Sequence, residues 1–89
     1  NTMTKSMARN LGPIRVNAVC PGFIQGDWLR KGLGSDTYDM ALANIENTTP
    51  LGLAVTAHQV AQAIYNLMEL STVVTGETVI LDGGYHLTV

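Results

Sequence analysis

The chain has 89 residues, of which 46% are hydrophobic and 13% are charged, and its formal net charge is −2. About a quarter of the residues are charged in an ordinary soluble domain, and a small domain normally exposes a large share of its surface. We therefore expect much of this surface to be covered by further chain or by a partner subunit. The charge balance provides no basic footprint and argues against nucleic acid as a partner.

Cysteine content and hydropathy bear on location. The single Cys20 has no partner for an internal disulfide, and no apolar run reaches the roughly 18 residues needed to cross a bilayer. The chain opens at Asn1 within a helical pattern, without an initiator Met or a charged-then-apolar signal pattern. We therefore expect a cytoplasmic protein with no membrane segment, of which this chain is one part.

The first predicted element is a helix end over residues 2–11. Met3, Met7 and Leu11 recur at helical spacing, and Gly12-Pro13 then stops the helix.

A short, largely buried strand is predicted over residues 14–20, where β-branched residues are frequent. The polar Arg15 and Asn17 share one face of this strand with Val19. Buried polar side chains need hydrogen-bond partners, so we expect other parts of the chain to supply them.

Residues 23–50 are poorly periodic, and long irregular connections are typical of lids and binding loops. Three glycines interrupt the first half of this range. The second half contains apolar residues that fit one helix: Tyr38, Met40, Ala41, Leu42 and Ile45. We predict a lid over this range.

The last helix, over residues 57–70, is predicted to begin with a capping box formed by Thr56 and Gln59. A strand over residues 78–81 follows it and is stopped by Asp82-Gly83-Gly84. Strands separated by helical crossovers indicate a parallel α/β sheet. Because two strands are too few for a stable parallel sheet, we expect the fold to be incomplete by itself.

Ligands of open α/β sheets bind beyond the carboxyl ends of the strands, which directs attention to Pro21-Gly22. This dipeptide suits a type II turn, with glycine accepting a positive φ, that aims the backbone of Phe23 and Ile24 into the crevice. The alternative is a turn that only ends the strand.

Five short motifs, in order along the chain, resemble those of the short-chain dehydrogenase/reductase family. The segment from Ile14 to Ile24 resembles its I-R-V-N-x-V-x-P-G-x-I motif. The other four matching segments are Met7-Ala8-Arg9-Asn10-Leu11-Gly12-Pro13, Pro50-Leu51-Gly52, Val60-Ala61, and Val74-Thr75-Gly76-Glu77 with Asp82-Gly83-Gly84.

The resemblance implies the C-terminal portion of a Rossmann-type doubly wound parallel sheet, similar to 3-oxoacyl carrier-protein reductases. It implies an oxidoreductase that moves a hydride between NAD or NADP and a carbonyl or alcohol substrate. The family's glycine-rich phosphate loop, catalytic Ser and Tyr-x-x-x-Lys pair match no segment here; Gly32-Leu33-Gly34 lacks both the preceding strand and the third glycine. We therefore expect no catalytic residue in this chain.

By resemblance, Pro21, Gly22, Phe23 and Ile24 shape the nicotinamide pocket, with the Ile24 backbone meeting the carboxamide. The family usually has Thr where this chain has Gly26. Loss of that hydroxyl is expected to weaken cofactor binding by about 1 kcal/mol, the scale of one hydrogen bond.

By resemblance, Trp28 and Leu29 belong to the substrate lid, and the alternative is that Trp28 only packs the lid down. The family also implies a subunit interface on the last helix and strand, and so a homo-oligomer, dimer or tetramer. For His58 and His86 we expect no metal site, because no ligand lies at suitable spacing. We interpret Asp82 as a turn residue.

Two other hypotheses remain. The chain could be a non-catalytic fragment that acts only as an oligomerisation or interaction piece. It could also be part of another α/β protein, such as a receiver-like module, which the ordered motif set argues against.

Overall fold

The computed structural model describes residues 1–88. Four helices and four short strands make up most of the described chain. In order they are α1 Thr2–Asn10, β1 Ala18–Pro21, β2 Ile24–Gln25, α2 Asp27–Leu33, α3 Ser35–Thr48, β3 Val55–Thr56, α4 Ala57–Tyr65 and β4 Thr78–Leu81. A π-helical segment, Asn66–Leu70, continues α4, and a 3₁₀ turn, Tyr85–Leu87, follows β4.

Strands β1 and β4 are parallel neighbours, with Ala18 opposite Thr78 and Pro21 opposite Leu81. Proline is tolerated at the end of β1 because alternate residues, among them Ala18 and Gly22, donate to β4 in this register, and the nitrogen of Pro21 faces the other side. The chain that joins the two strands carries α4, as a parallel crossover requires. This architecture is α/β, and β4 has the bounds that the sequence pattern indicates.

The predicted strand 14–20 is wrong at its beginning, because β1 starts at Ala18. Val16 and Asn17, which precede β1, are joined to the loop before β4 mainly by hydrogen bonds that involve side chains. The Asn17 amide donates to the Val74 carbonyl at 3.0 Å, and its oxygen accepts from the Glu77 amide at 3.1 Å. The expected partners of Asn17 are thus confirmed, and they replace a regular ladder.

Arg15 contacts a different part of the chain from Asn17, namely the end of the last helix. Its guanidinium donates to the carbonyl oxygens of Leu67 and Met68, and to that of Ser71 at 3.0 Å. The Ser71 amide bonds back five residues to Asn66, which widens the final turn into a π-helical one. The helix predicted over residues 57–70 therefore changes its winding after Tyr65, and Arg15 caps the widened end.

The beginning of α4 is as predicted. The Thr56 side chain accepts from the Gln59 amide at 3.1 Å, and the Gln59 side chain accepts from the Thr56 amide at 2.9 Å. This reciprocal capping box satisfies two backbone donors that a helix start otherwise leaves unpaired.

The range predicted as a lid, residues 23–50, contains β2, α2 and α3, and β2 pairs in parallel with β3. The two-residue strands β2 and β3 were not predicted, because they are too short to show a period. Their pairing attaches the beginning of the range 23–50 to the chain just before α4.

The described residues have little core of their own. The buried hydrophobic residues are Tyr38, Ala54 and Val55, and no side chain is less than 2% exposed. The radius of gyration is 15.4 Å, against about 12 Å for a compact chain of this length. The molecule measures 47 × 25 × 23 Å, so it is elongated, as expected for part of a larger sheet. None of the helices in residues 1–88 combines the length and the apolar character that crossing a bilayer requires.

Candidate functional site

The predicted site residues meet at the carboxyl end of β1. A cavity of about 400 Å³ is lined by Gly22, Phe23, Ile24, Trp28 and Leu29, together with residues 25–27 and Ala57. Pro21 lies just outside it, at the last ladder position of β1. The structure therefore brings the predicted turn and the predicted lid residues to one concave surface.

Backbone groups of Ile24 face the open edge of β2. The Val55 amide donates to the carbonyl of Phe23 at 3.2 Å, and Ile24 is opposite Val55 in the register. A parallel ladder in this register uses the groups on either side of Ile24 and directs its own N–H and C=O away from β3. Ile24, which lines the cavity, thus has one backbone donor and one backbone acceptor that β3 does not use.

The expectation of a type II turn at Pro21-Gly22 is wrong, because Gly22 does not have a positive φ. The Gly22 amide instead donates to the Leu81 carbonyl at 3.0 Å, which extends the contact between the two strand ends. A Cβ on residue 22 would lie 2.8 Å from Cβ of Asp82. Glycine is required here for a close approach of two backbones rather than for its dihedral freedom.

Asp82 organises the turn after β4, in agreement with its interpretation as a turn residue. Its carboxylate accepts from the Gly84 amide at 2.9 Å and from the His86 amide at 2.8 Å, and it lies 3.0 Å from His86 Nδ1. Desolvation acts to raise the pKa of Asp82, but the hydrogen bonds from the His86 ring and from the His86 and Gly84 amides outweigh it. The pKa of this carboxyl is therefore below its ordinary value of 3.8.

We expect an acid-sensitive contribution of Asp82 to folding. Because folding lowers this pKa, the stabilisation is complete above the ordinary carboxyl pKa and is lost as the pH falls through the folded-state value. The difference in unfolding free energy between the wild type and Asp82→Asn, measured by urea titration of the complete protein, should hold from neutrality to about pH 4 and narrow below it. Glu46→Gln, which removes an exposed carboxylate, is the control. A difference that stays constant down to pH 2.5, about a unit below the ordinary value, would contradict this assignment.

Tyr38 of α3 is a site residue that the sequence pattern assigned only to a helix. Its ring is buried, with 2% of its surface exposed, and its hydroxyl accepts from the Gly26 amide at 2.9 Å. The ring centroids of Tyr38 and Phe23 are 5.6 Å apart, and the Arg30 guanidinium lies 4.6 Å from the Tyr38 centroid. The only indication of this role in the sequence was that Tyr38 is an aromatic residue in a helix that is otherwise weakly amphipathic.

The structure also describes the exposure of Trp28 and the spacing of side chains that could bind a metal ion. Trp28 is 86% exposed among the described residues, so no other described residue packs over most of its surface. Among residues 1–88, no three His, Cys, Asp or Glu side chains lie close enough together to hold a metal ion.

Known proteins place the chain in a family. The family model described as enoyl-(acyl carrier protein) reductase matches residues 1–86. The chain belongs to this family of short-chain dehydrogenases/reductases. It is 36% identical over 85 residues to a putative ketoacyl reductase 2 of the granaticin polyketide synthase from Streptomyces violaceoruber, covering 94% of this chain and 32% of that protein.

Other short-chain dehydrogenases/reductases agree in sequence and in structure. The 3-oxoacyl-[acyl-carrier-protein] reductase of Mus musculus is 36% identical over 88 residues, covering 99% of this chain and 33% of that protein. The crystal structure of a small-chain dehydrogenase in complex with NADPH superimposes with a TM-score of 0.87 at 31% identity, covering 97% of this chain and 38% of that one. The chain thus spans about a third of the length of the curated relatives it matches.

This family membership confirms the predicted fold class, a portion of a Rossmann-type sheet. It excludes a receiver-like module.

Gly26 has φ 156° and ψ 174°, a conformation that only glycine adopts readily. The Thr that the resemblance led us to expect at this position would be strained in this backbone.

Proposed function

We propose that this chain forms the nicotinamide-side wall and the substrate lid of an NAD- or NADP-dependent oxidoreductase. The observation that carries the proposal is the Ile24 backbone, whose N–H and C=O face away from β3 at the wall of the 400 Å³ cavity. A carboxamide offers one carbonyl acceptor and an N–H donor, so the two groups match it. The relative crystallised with NADPH supports the choice of cofactor.

A bound nicotinamide would donate or accept the hydride, and the residues of this chain would orient its ring. Gly22 keeps the ends of β1 and β4 in contact, and this contact determines where the next two residues lie. Phe23 adds an aromatic surface that Tyr38 supports from behind. Fixed orientation of this kind accounts for much of the rate of a hydride transfer, because the reacting atoms must be held in contact.

The lid indicates a carbonyl or alcohol substrate with an apolar part. Trp28 and Leu29 line the cavity from α2, and most of the Trp28 surface is free to contact a ligand. Asp27 also lines this cavity, and its charge opposes the approach of a pyrophosphate. The proposal therefore places the nicotinamide and substrate here, and the cofactor phosphates elsewhere.

We further propose that the protein is a cytoplasmic homo-oligomer. Large apolar side chains are exposed along the end of α4 and its continuation, with Tyr65 at 58%, Met68 at 61% and Leu70 at 68%. Apolar area of this extent is typical of a surface that another part of the protein or a partner subunit covers.

The proposal is tested on the complete protein that carries this chain. We expect NADH or NADPH to raise its melting temperature, and carbonyl substrates with an apolar part to be reduced with loss of absorbance at the wavelength of the reduced nicotinamide. Absence of both binding and turnover with either cofactor would reject the enzyme.

The isolated 89-residue chain provides the complementary test. We expect no thermal shift and no fluorescence change on addition of NADH, because no segment of it matches the family's phosphate loop or ribose-binding Lys. The complete protein is the positive control. Clear binding by the isolated chain would contradict the assignment of only one wall of the site to these residues.

The exposed apolar surface favours a second candidate, a fragment that acts only by association. This candidate predicts that the complete protein oligomerises but neither binds nor oxidises a reduced nicotinamide. Cofactor binding and turnover, both measured on the complete protein, therefore distinguish this candidate from the enzyme.

A further inference from the structure

We infer that Tyr38 is a positioning residue that holds the substrate lid in its observed position beside the cavity through its bond to Gly26. The inference deepens the proposed function and rests on it. Tyr38 touches neither substrate nor cofactor in this role; it acts through the segment that carries Trp28 and Leu29.

Tyr38 joins three successive parts of the lid. Its hydroxyl accepts from the Gly26 amide at 2.9 Å, where β2 leads into α2. Its ring packs against Phe23 at the base, with centroids 5.6 Å apart, and lies 4.6 Å from the guanidinium of Arg30 on α2. Arg30 in turn reaches Asp39, the residue after Tyr38, at 3.9 Å. A polar group that is buried in this way is costly to leave unpaired, so the hydroxyl favours one arrangement of the lid.

Gly26 is the point at which the lid can turn. Its φ of 156° lies in a range that side chains disfavour, and no atom lies within 4 Å of the place where a Cβ would be. At the other end of α2, Gly34 has φ 85° and separates α2 from α3. Helix α2 therefore lies between two glycine joints, and the Tyr38 hydroxyl is bonded at the first of them.

Movement at Gly26 changes the cavity directly. Gly26 and the next three residues all line it, so a rotation there moves Trp28 and Leu29 relative to Ile24. Tyr38 determines how much of the time the lid residues are in place to bind substrate.

The first test is Tyr38→Phe in the complete protein, which keeps the ring contacts with Phe23 and Arg30 and removes only the hydroxyl. We expect backbone amides of residues 26–33 to exchange with deuterium about fivefold faster, the change that follows from one net hydrogen bond. Exchange in β4 should stay the same. Tyr65→Phe, the same chemical change on α4, is the control and should leave residues 26–33 unchanged.

Steady-state kinetics give the second readout. The Michaelis constant of the carbonyl substrate should rise about fivefold in Tyr38→Phe while kcat changes little, because the lid contributes binding rather than chemistry. A purely structural role predicts a lower melting temperature without this separation of the two constants. Unchanged exchange in residues 26–33, or faster exchange with an unchanged Michaelis constant, would overturn the inference.

Gly26→Thr tests the same bond from its other side. Threonine cannot keep the observed φ, so this variant should also speed exchange of residues 26–33. Because the bond is then already lost, adding Tyr38→Phe should change exchange by less than twofold; fully additive effects would show that the two residues act independently and would overturn the inference. The exchange measurements need no cofactor, so a failure of this inference differs from a failure of the enzyme assignment.

Discussion

Gly22→Ala is expected to lower kcat/KM of the complete protein about a hundredfold, because it displaces residues that line the cavity. The added Cβ would lie 2.8 Å from Cβ and 3.4 Å from Cα of Asp82, and neither is the flexible end of a side chain. The ends of β1 and β4 must then separate, which moves the Ile24 backbone by a large part of an ångström. Overpacking of this kind costs about 1–3 kcal/mol in stability as well.

Two variants test whether the collision with Asp82 causes this loss of kcat/KM. Gly12→Ala adds the same methyl group where no atom lies within 4 Å, and it should leave kcat/KM unchanged. In an Asp82→Gly background the obstructing Cβ is gone, so Gly22→Ala should cost far less there than in the wild type. An equal loss in both backgrounds would show that the collision with Asp82 is not the reason.

Arg15→Met is expected to reduce the unfolding free energy by about 3 kcal/mol, since several hydrogen bonds to a charged donor are lost together. The carbonyls of Leu67, Met68 and Ser71 lose their partner; the bonds to Leu67 and Ser71 are part-buried, and the bond to Met68 is exposed. Arg15→Lys keeps the charge but not the planar fork, so it should recover only part of the loss. Urea unfolding of the complete protein measures both.

Arg9→Met is the matched control for Arg15, because Arg9 lies exposed in the last turn of α1. Its loss should change the unfolding free energy by no more than about 0.5 kcal/mol. A cost below about 1 kcal/mol for Arg15→Met would mean that water replaces the guanidinium at the helix end, which contradicts the capping role.

Features that depend on neighbouring residues were predictable from the sequence. The capping box at Thr56 and Gln59 is confirmed, and β4 has the predicted bounds, because both arise from residue types at fixed short spacing. The need of Arg15 and Asn17 for partners was also predictable, since a polar side chain in a buried strand requires one.

Features that depend on distant residues were not predictable. Glycine is needed at position 22 because Asp82 leaves no room for a Cβ there, and not because of a positive φ. The widened end of α4 depends on a guanidinium more than 50 positions earlier in the chain. The bond between Tyr38 and Gly26 joins α3 to the beginning of α2, and no periodicity indicates that these two residues approach each other.

The parallel pairing of β1 with β4 determines the order in which this part of the protein can form. Asn17 and Glu77 are 60 positions apart, and the whole lid and α4 lie between the two strands. A ribosome must therefore synthesise the C-terminal segment before β1 obtains this neighbour, and until then the edge of β1 is open to other chains. Contacts of such long range make folding slow, so the edge of β1 stays accessible to chaperones and to aggregation until the C-terminal segment has been synthesised.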